Sequence, residues 1–171
     1  MGKIFAIDPG NIESGYVICS YDGNEIIQID EFGKIENNEL LNGCKYFKGI
    51  AEQLRIDYTF AIEMVACYGM PVGREVFETC VWIGRFIEAI GADRVQYIYR
   101  REEKSDLCHS MKANDSTIRQ ALVDRFAPGE RNYGKGTKKN PGFFYGFHAD
   151  VWAAFAVAVT YFDKYIKGME I

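Results

Sequence analysis

Histidine is scarce in this chain, with two among 171 residues, and no Cys-x-x-Cys pair accompanies them, so a zinc site has few ligands to draw on. The five cysteines, Cys19, Cys44, Cys67, Cys80 and Cys108, are odd in number, which argues against a disulfide framework. Reduced, mostly buried thiols in a cytoplasmic protein are the expectation. An excess of positive charge is also missing: 20 Lys and Arg face 24 Asp and Glu, a net charge of −4. Nucleic-acid-binding proteins are more often basic, although phosphate contacts depend on where the cations cluster. The apolar stretch from Val151 to Phe162 is shorter than the ~20 residues a membrane helix needs, so it reads as a core helix and no membrane partner is expected. The opening MGKIFAIDPG lacks an apolar h-region and a small-residue cleavage site, so no signal peptide is expected. Internal repeats, low-complexity tracts and long linkers are absent, and one domain over 1–171 is the simplest organisation.

What is present is enough apolar residue, 48% hydrophobic and 15% aromatic, for a sizeable core. Lys3 to Ile7 is a short β-compatible run stopped by Asp8-Pro9-Gly10. Gly15 to Ser20 reads as a second strand, Tyr21-Asp22-Gly23-Asn24 as a turn, and Glu25 to Lys34 as a third strand. Short linkers make these three antiparallel. Asn38 can cap a helix running to about Leu54. Tyr58 to Val65 is a fourth strand, Arg74 to Ile90 a helix apolar nearly all round, and Val95 to Tyr99 a fifth strand. A helix starts at Asp115 or Ser116 and runs through Phe126, and the last helix spans about His148 to Lys167. Between them Ala127 to Gly146 is an aperiodic loop. The pattern is α/β with a five-stranded mixed sheet flanked by helices.

Three carboxylates each interrupt an apolar pattern: Asp8 in AIDPG, Glu63 in FAIEMVA, and Asp150 in FHADVWAAFAVAV. A buried carboxylate needs a hydrogen-bond partner, a counter-charge or a metal. Taken singly, Asp8 reads as a turn residue, Glu63 as a partner for Arg74 or Arg100, and Asp150 as a helix-start charge. Brought together, the three would repel one another unless a divalent cation neutralised them, and hard oxygen donors suit Mg²⁺ or Mn²⁺.

These segments resemble a known family. AIDPGNIESGYVI is similar to the first two strands of RuvC-like Holliday-junction resolvases, FAIEMV to their fourth strand, GREVFETCVWIGRF to the helix that follows, and HADVWAAFAVAVTY to their C-terminal helix. The phage-encoded branch is the nearest in pattern. The resemblance spans nearly the whole chain in order. It implies an RNase H-like fold and a crossover-junction endonuclease, with Asp8, Glu63 and Asp150 as the catalytic, metal-binding carboxylates of a two-metal site. It also implies a homodimer acting on four-way DNA junctions in recombination and repair. One position departs from the family. Three residues before the last aspartate, where relatives carry an Asp or His ligand, stands Phe147. His148 is the candidate substitute, although residues two apart on an ideal helix do not share a face.

The segment RNYGKGTKKNPGFFYGF is the expected nucleic-acid-binding loop. It offers Arg131, Lys135, Lys138 and Lys139 to phosphates, and Phe143, Phe144 and Tyr145 to unpaired bases. Arg74 is a further candidate contact, or else a partner for Glu63. Three other functions fit parts of this reading. One is an RNase H-like nuclease acting on other branched DNA or structured RNA. Another is a non-catalytic junction-binding module. The third is the actin-like sugar kinase group, whose members need two copies of the fold and far more chain.

Overall fold

In the computed structural model, which describes residues 1–167, five strands form one mixed sheet. In chain order these are β1 (Gly2–Asp8), β2 (Glu13–Tyr21), β3 (Ile26–Glu36), β4 (Asp57–Met64) and β5 (Val95–Tyr99). Their spatial order is β3-β2-β1-β4-β5. The first three are antiparallel neighbours, whereas β4 lies parallel to β1 and β5 parallel to β4. The expected mixed sheet is therefore observed.

Side-chain alternation along the central strands separates two cores. Phe5, Ile7, Tyr58, Phe60 and Ile62 face α1 (Asn37–Leu54) and α2 (Arg74–Ile90). Ile4, Ala6, Val17, Cys19 and Ala61 face the opposite layer, built from α3 (Arg100–Cys108), α4 (Asp115–Phe126) and α5 (Ala149–Tyr161). α5 is buried almost throughout, from Val151 to Thr160, and lies across β1 and β2. Each aliphatic or aromatic side chain fully buried there stabilises the fold by roughly 1.5–3 kcal/mol. Among the described residues, no helix is long and apolar enough to cross a membrane.

Several boundaries differ from the sequence expectation. β3 extends to Glu36, whose carboxylate accepts hydrogen bonds from the Asn38 and Glu39 amides and so caps α1 in place of Asn38. The helix α3 was not anticipated. Its sequence RREEKSDLC has no apolar stripe, and its one fully buried side chain is Glu103. The Glu102 carboxylate closes its first turn on the Tyr99 amide at 2.8 Å. The last α-helix ends at Tyr161 and widens into a π turn over Phe162–Ile166. α2 spans the expected residues, but its burial is one-sided: Thr79, Ile83, Phe86 and Ile90 pack inward, while Phe77 and Val81 are 60% and 63% exposed.

Candidate active site

The turn after β1 is built by a buried polar network. The Gly10 amide donates to Ser14 Oγ (3.1 Å), the Ser14 hydroxyl donates to Asn37 Oδ1 (2.6 Å), and Asn37 Nδ2 donates to the Gly10 carbonyl (2.9 Å). A Cβ at Gly10 would come within 2.2 Å of the Glu13 carbonyl oxygen, so the turn closes this tightly only with glycine. Ser14 and Asn37 are buried with their hydrogen-bonding groups satisfied, which fixes the chain on both sides of Asp8.

Parallel pairing then brings Glu63 to Asp8. β1 and β4 run in register to Ile7 opposite Ile62, so the next residues are Asp8 and Glu63. Alternation turns both toward the α5 layer, the face of Ala6 and Ala61. The two carboxyl groups lie close enough for each to shift the other's titration, with a hydrogen bond between them among the causes. Burial pushes the Asp8 carboxyl up to about 9; the Glu63 charge, the shared hydrogen bond and the charges of Asp150 and Glu103 act in the same direction. Burial also raises Glu63, opposed by the Arg100 guanidinium and the hydrogen bond from Asp8.

Asp150 arrives from the first turn of α5. Gly15 on β2 stands opposite Asp8, and a Cβ there would lie 2.5 Å from the Asp150 carbonyl oxygen and 2.8 Å from Asp150 Cβ. The absent side chain is what lets the helix start settle onto the sheet beside Asp8. Asp8, Glu63 and Asp150 line one cavity of about 430 Å³, together with Arg100, Asp115 and Arg119. Asp8 and Asp150 also line a neighbouring cavity of about 380 Å³ with Lys34 and Glu13. Lys34 pairs with Asp150 at 2.6 Å, and the carboxylate holds that ammonium above the ordinary lysine range.

RuvC from Thermus thermophilus in complex with a Holliday junction substrate superposes with a TM-score of 0.67 over 98% of this chain and 97% of that one, at 14% identity. A second Thermus thermophilus RuvC structure gives 0.62 over 95% of each chain, at 13% identity. The chain has the RNase H-like fold of RuvC. No protein-family model matches it, and no curated protein matches it in sequence.

Within this RuvC-like fold the acidic site holds two carboxylates that sequence reasoning missed. Glu103, 0% exposed, ion-pairs with Arg100, and Arg100 also pairs with Asp115. Burial first, then the Glu63 charge, pushes Glu103 up to about 8. Its Oε1 is buried without a hydrogen-bond partner among the described residues. Only the burial of an acidic residue within a charged segment signals it, and burial is not visible in REEKSD.

Other expected site residues stand elsewhere. His148 is the N-cap residue of α5, exposed, and lines neither cavity that holds Asp150. The structure therefore does not bring His148 together with the three carboxylates at either cavity. Phe147 itself is buried among Phe32, Phe144, Trp152 and Phe155 at centroid distances of 4.8–5.7 Å. Phe143 and Phe144 are corrected from base-stacking candidates to core residues: Phe144 is 0% exposed, and Phe143 stacks on Phe126 at 5.3 Å. Tyr145 remains exposed. Arg74 pairs with Glu78 at 2.5 Å rather than with Glu63. Arg131, Lys138 and Lys139 are exposed and Lys135 half-buried in a loop cross-bridged at Gly136 and Pro141; none of the four pairs with an acid among the described residues.

The donor set of Asp8, Glu63 and Asp150 is of hard oxygens, which fits a divalent cation such as Mg²⁺ or Mn²⁺, and the nearby Glu103 holds a buried acceptor without a partner among the described residues. As the side chains stand, no three Asp, Glu, His or Cys of the described residues are grouped to hold one ion. Asp150 is turned to Lys34, and Asp8 to Glu63.

Proposed function

We propose that residues 1–171 form one nuclease domain that hydrolyses phosphodiester bonds of four-way DNA junctions. The observation that carries this reading is the convergence of Asp8, Glu63 and Asp150 on one cavity, in a chain with the fold of RuvC along its length. In this reading the three carboxylates hold Mg²⁺ or Mn²⁺, two ions per site. When bound, such ions stabilise negative charge on the attacking and leaving oxygens and make water a stronger nucleophile near neutral pH. The chain's own part is positional. Ser14 and Asn37 fix the Asp8 turn, Arg100 restrains the Glu63 side of the cavity, and Lys34 holds Asp150 until a cation competes for it.

Arg131, Lys135, Lys138 and Lys139 supply phosphate contacts from a loop that leads into α5, and Arg74 adds one from the start of α2. A junction with two-fold symmetry calls for two active sites, and the exposed Phe77 and Val81 of α2 give a second copy an apolar face to pack against. The motif pattern favours the phage-encoded branch, acting in recombination and repair in the cytoplasm. Purified protein incubated with a four-way junction, flap, duplex and RNA hairpin, with Mg²⁺, Mn²⁺ or EDTA, tests the reading. Paired junction cuts that disappear in EDTA and in Asp8→Asn are expected, with a dimer by light scattering. Metal-dependent cutting confined to flap or RNA reassigns the substrate. Tight junction binding without cleavage in any metal overturns the nuclease.

A further inference from the structure

Two arginines line the acidic cavity, and they differ in what they are already bound to. Arg100 is committed, its guanidinium divided between Glu103 and Asp115. Arg119, one turn into α4, forms no ion pair among the described residues, although the cavity it lines also holds Asp8, Glu63, Asp115 and Asp150. Its Nε is buried and has no hydrogen-bond partner among those residues. An arginine has five N–H donors in a fixed fork and cannot shed its charge, so a buried, unused donor beside a cavity marks a group shaped for an anion that enters from outside.

The guanidinium is held from behind. It lies 4.7 Å over the ring of Tyr133, a cation–π arrangement that restrains the fork and leaves its edge free. Tyr133 is 47% exposed and is set in place by unusual backbone. Asn132 and Tyr133 both have φ near +55°, a left-handed conformation disfavoured for side-chain-bearing residues. The next residue, Gly134, also has positive φ, and a Cβ there would meet Ala127 Cβ at 2.4 Å and the Phe144 ring at 3.0 Å. The Gly134 carbonyl accepts from the amide of the buried Phe144 at 3.0 Å, which ties this turn to the core. Backbone held in this way persists only where its surroundings over-determine it, and such positions gather at functional sites.

We propose that Arg119 binds the phosphodiester undergoing cleavage and that Tyr133 is its positioning residue. The anion is the nucleic-acid backbone phosphate, whose charge increases as the bond to the attacking oxygen forms. This assignment rests on the nuclease reading above. A phosphate seated between Arg119 and the carboxylates is attracted by the first and repelled by the second, so without cations at Asp8 and Glu63 Arg119 is its main local counter-charge. The arginine therefore contributes more in the transition state than in the ground state, and its loss falls on kcat rather than KM.

The full-length chain is tested as Arg119→Ala, Arg119→Lys, Tyr133→Leu and Tyr133→Phe. Circular dichroism and melting temperature establish that each folds; if Arg119→Ala does not, Arg119→Lys carries the test. Single-turnover cutting of a four-way junction in Mg²⁺ is expected to slow by about 100-fold in Arg119→Ala, with KM changed less than about threefold. Arg119→Lys keeps the charge but loses the fork, and is expected to slow by about tenfold. Tyr133→Leu behaves like Arg119→Lys, and Tyr133→Phe, which keeps the ring, matches the unaltered protein. In EDTA, the slope of log binding constant against log salt is expected to fall by about one in Arg119→Ala, the signature of one lost phosphate contact. If the unaltered protein cuts the junction while Arg119→Ala matches it in rate and salt slope, this assignment alone is overturned. If Tyr133→Phe is as slow as Tyr133→Leu, the platform role of the ring is overturned. If the unaltered protein neither binds nor cuts any nucleic acid, the nuclease reading fails, and this assignment fails with it.

Discussion

Asp8→Asn is expected to make the protein more stable while abolishing cleavage. The Asp8 carboxyl stands at about 9 in the folded chain against an ordinary 3.8. Below pH 3.8 both folded and unfolded chains carry the proton, and Asp8 costs nothing. Between 3.8 and 9 the unfolded chain ionises while the folded chain retains the proton, so stability falls by ~1.4 kcal/mol per pH unit. Over the roughly three units up to pH 7 this amounts to ~4 kcal/mol, and solvent in the half-open cavity reduces it to about 2–3 kcal/mol. Asparagine has the same shape, does not titrate, and can donate an amide N–H to Glu63. In EDTA at pH 7 the variant should therefore melt about 5–10 °C above the unaltered protein, by scanning calorimetry or dye fluorescence. That gap should close as the pH is lowered toward 4 and widen toward pH 8. Added Mg²⁺ should narrow it from the other side, because a cation at a hundred times its Kd stabilises the unaltered protein by ~2.7 kcal/mol and the variant by less. A variant that melts at or below the unaltered protein at pH 7, or a gap that does not change with pH, would refute the shared-proton carboxyl pair.

Three other perturbations probe separate parts of the site. Gly15→Ala places a methyl group 2.5 Å from the Asp150 carbonyl oxygen, so the start of α5 must lift; we expect a stability loss of about 1–3 kcal/mol and about 100-fold slower cleavage. Phe147→Ala empties the centre of the aromatic cluster and should cost ~3–5 kcal/mol in urea unfolding, showing that this position serves packing and not ligation. Lys138→Ala combined with Lys139→Ala should lower the salt slope of junction binding by about two and leave single-turnover kcat nearly unchanged. An unaltered slope would remove this loop from the interface.

The carboxylates were legible in the sequence because each disturbs an apolar pattern whose period is known. Asp8 and Glu63 fall on the same parity as Ala6 and Ala61, so once β1 and β4 are neighbours their meeting follows from alternation alone. Gly15 was visible only as part of a motif; its purpose, admitting the Asp150 backbone to the sheet, requires the packing of α5 to be known. Glu103 and Arg119 were not legible. Glu103 sits among charged neighbours and Arg119 between Ile118 and Gln120, and what distinguishes them is burial, an orphaned acceptor in one and an orphaned donor in the other. Phe143 and Phe144 misled for the opposite reason. They lie in a glycine-rich basic loop that looks solvated, yet Gly134 and Gly142 let that loop fold back closely enough to bury them.

A chain with net charge −4 can still offer a site to nucleic acid if its charges are segregated, and the cavity shows how far that segregation goes. Four carboxyl groups line it, Asp8, Glu63, Asp115 and Asp150, and a fifth, Glu103, is buried against Arg100. Two guanidiniums line it with them, Arg100 and Arg119, and Lys34 pairs with Asp150 from the neighbouring cavity, which Glu13 also lines. Acids outnumber cations around the cavity, and burial pushes two of them up, Asp8 to about 9 and Glu103 to about 8. A divalent cation, in the reading proposed above, would supply positive charge where these acids outnumber their partners. The burial that makes these acids costly would also strengthen their attraction for a small, hard, doubly charged ion. A phosphate bound there, as proposed above, would add one more negative charge, and among the described residues Arg119 lines the cavity with a buried donor still unpartnered.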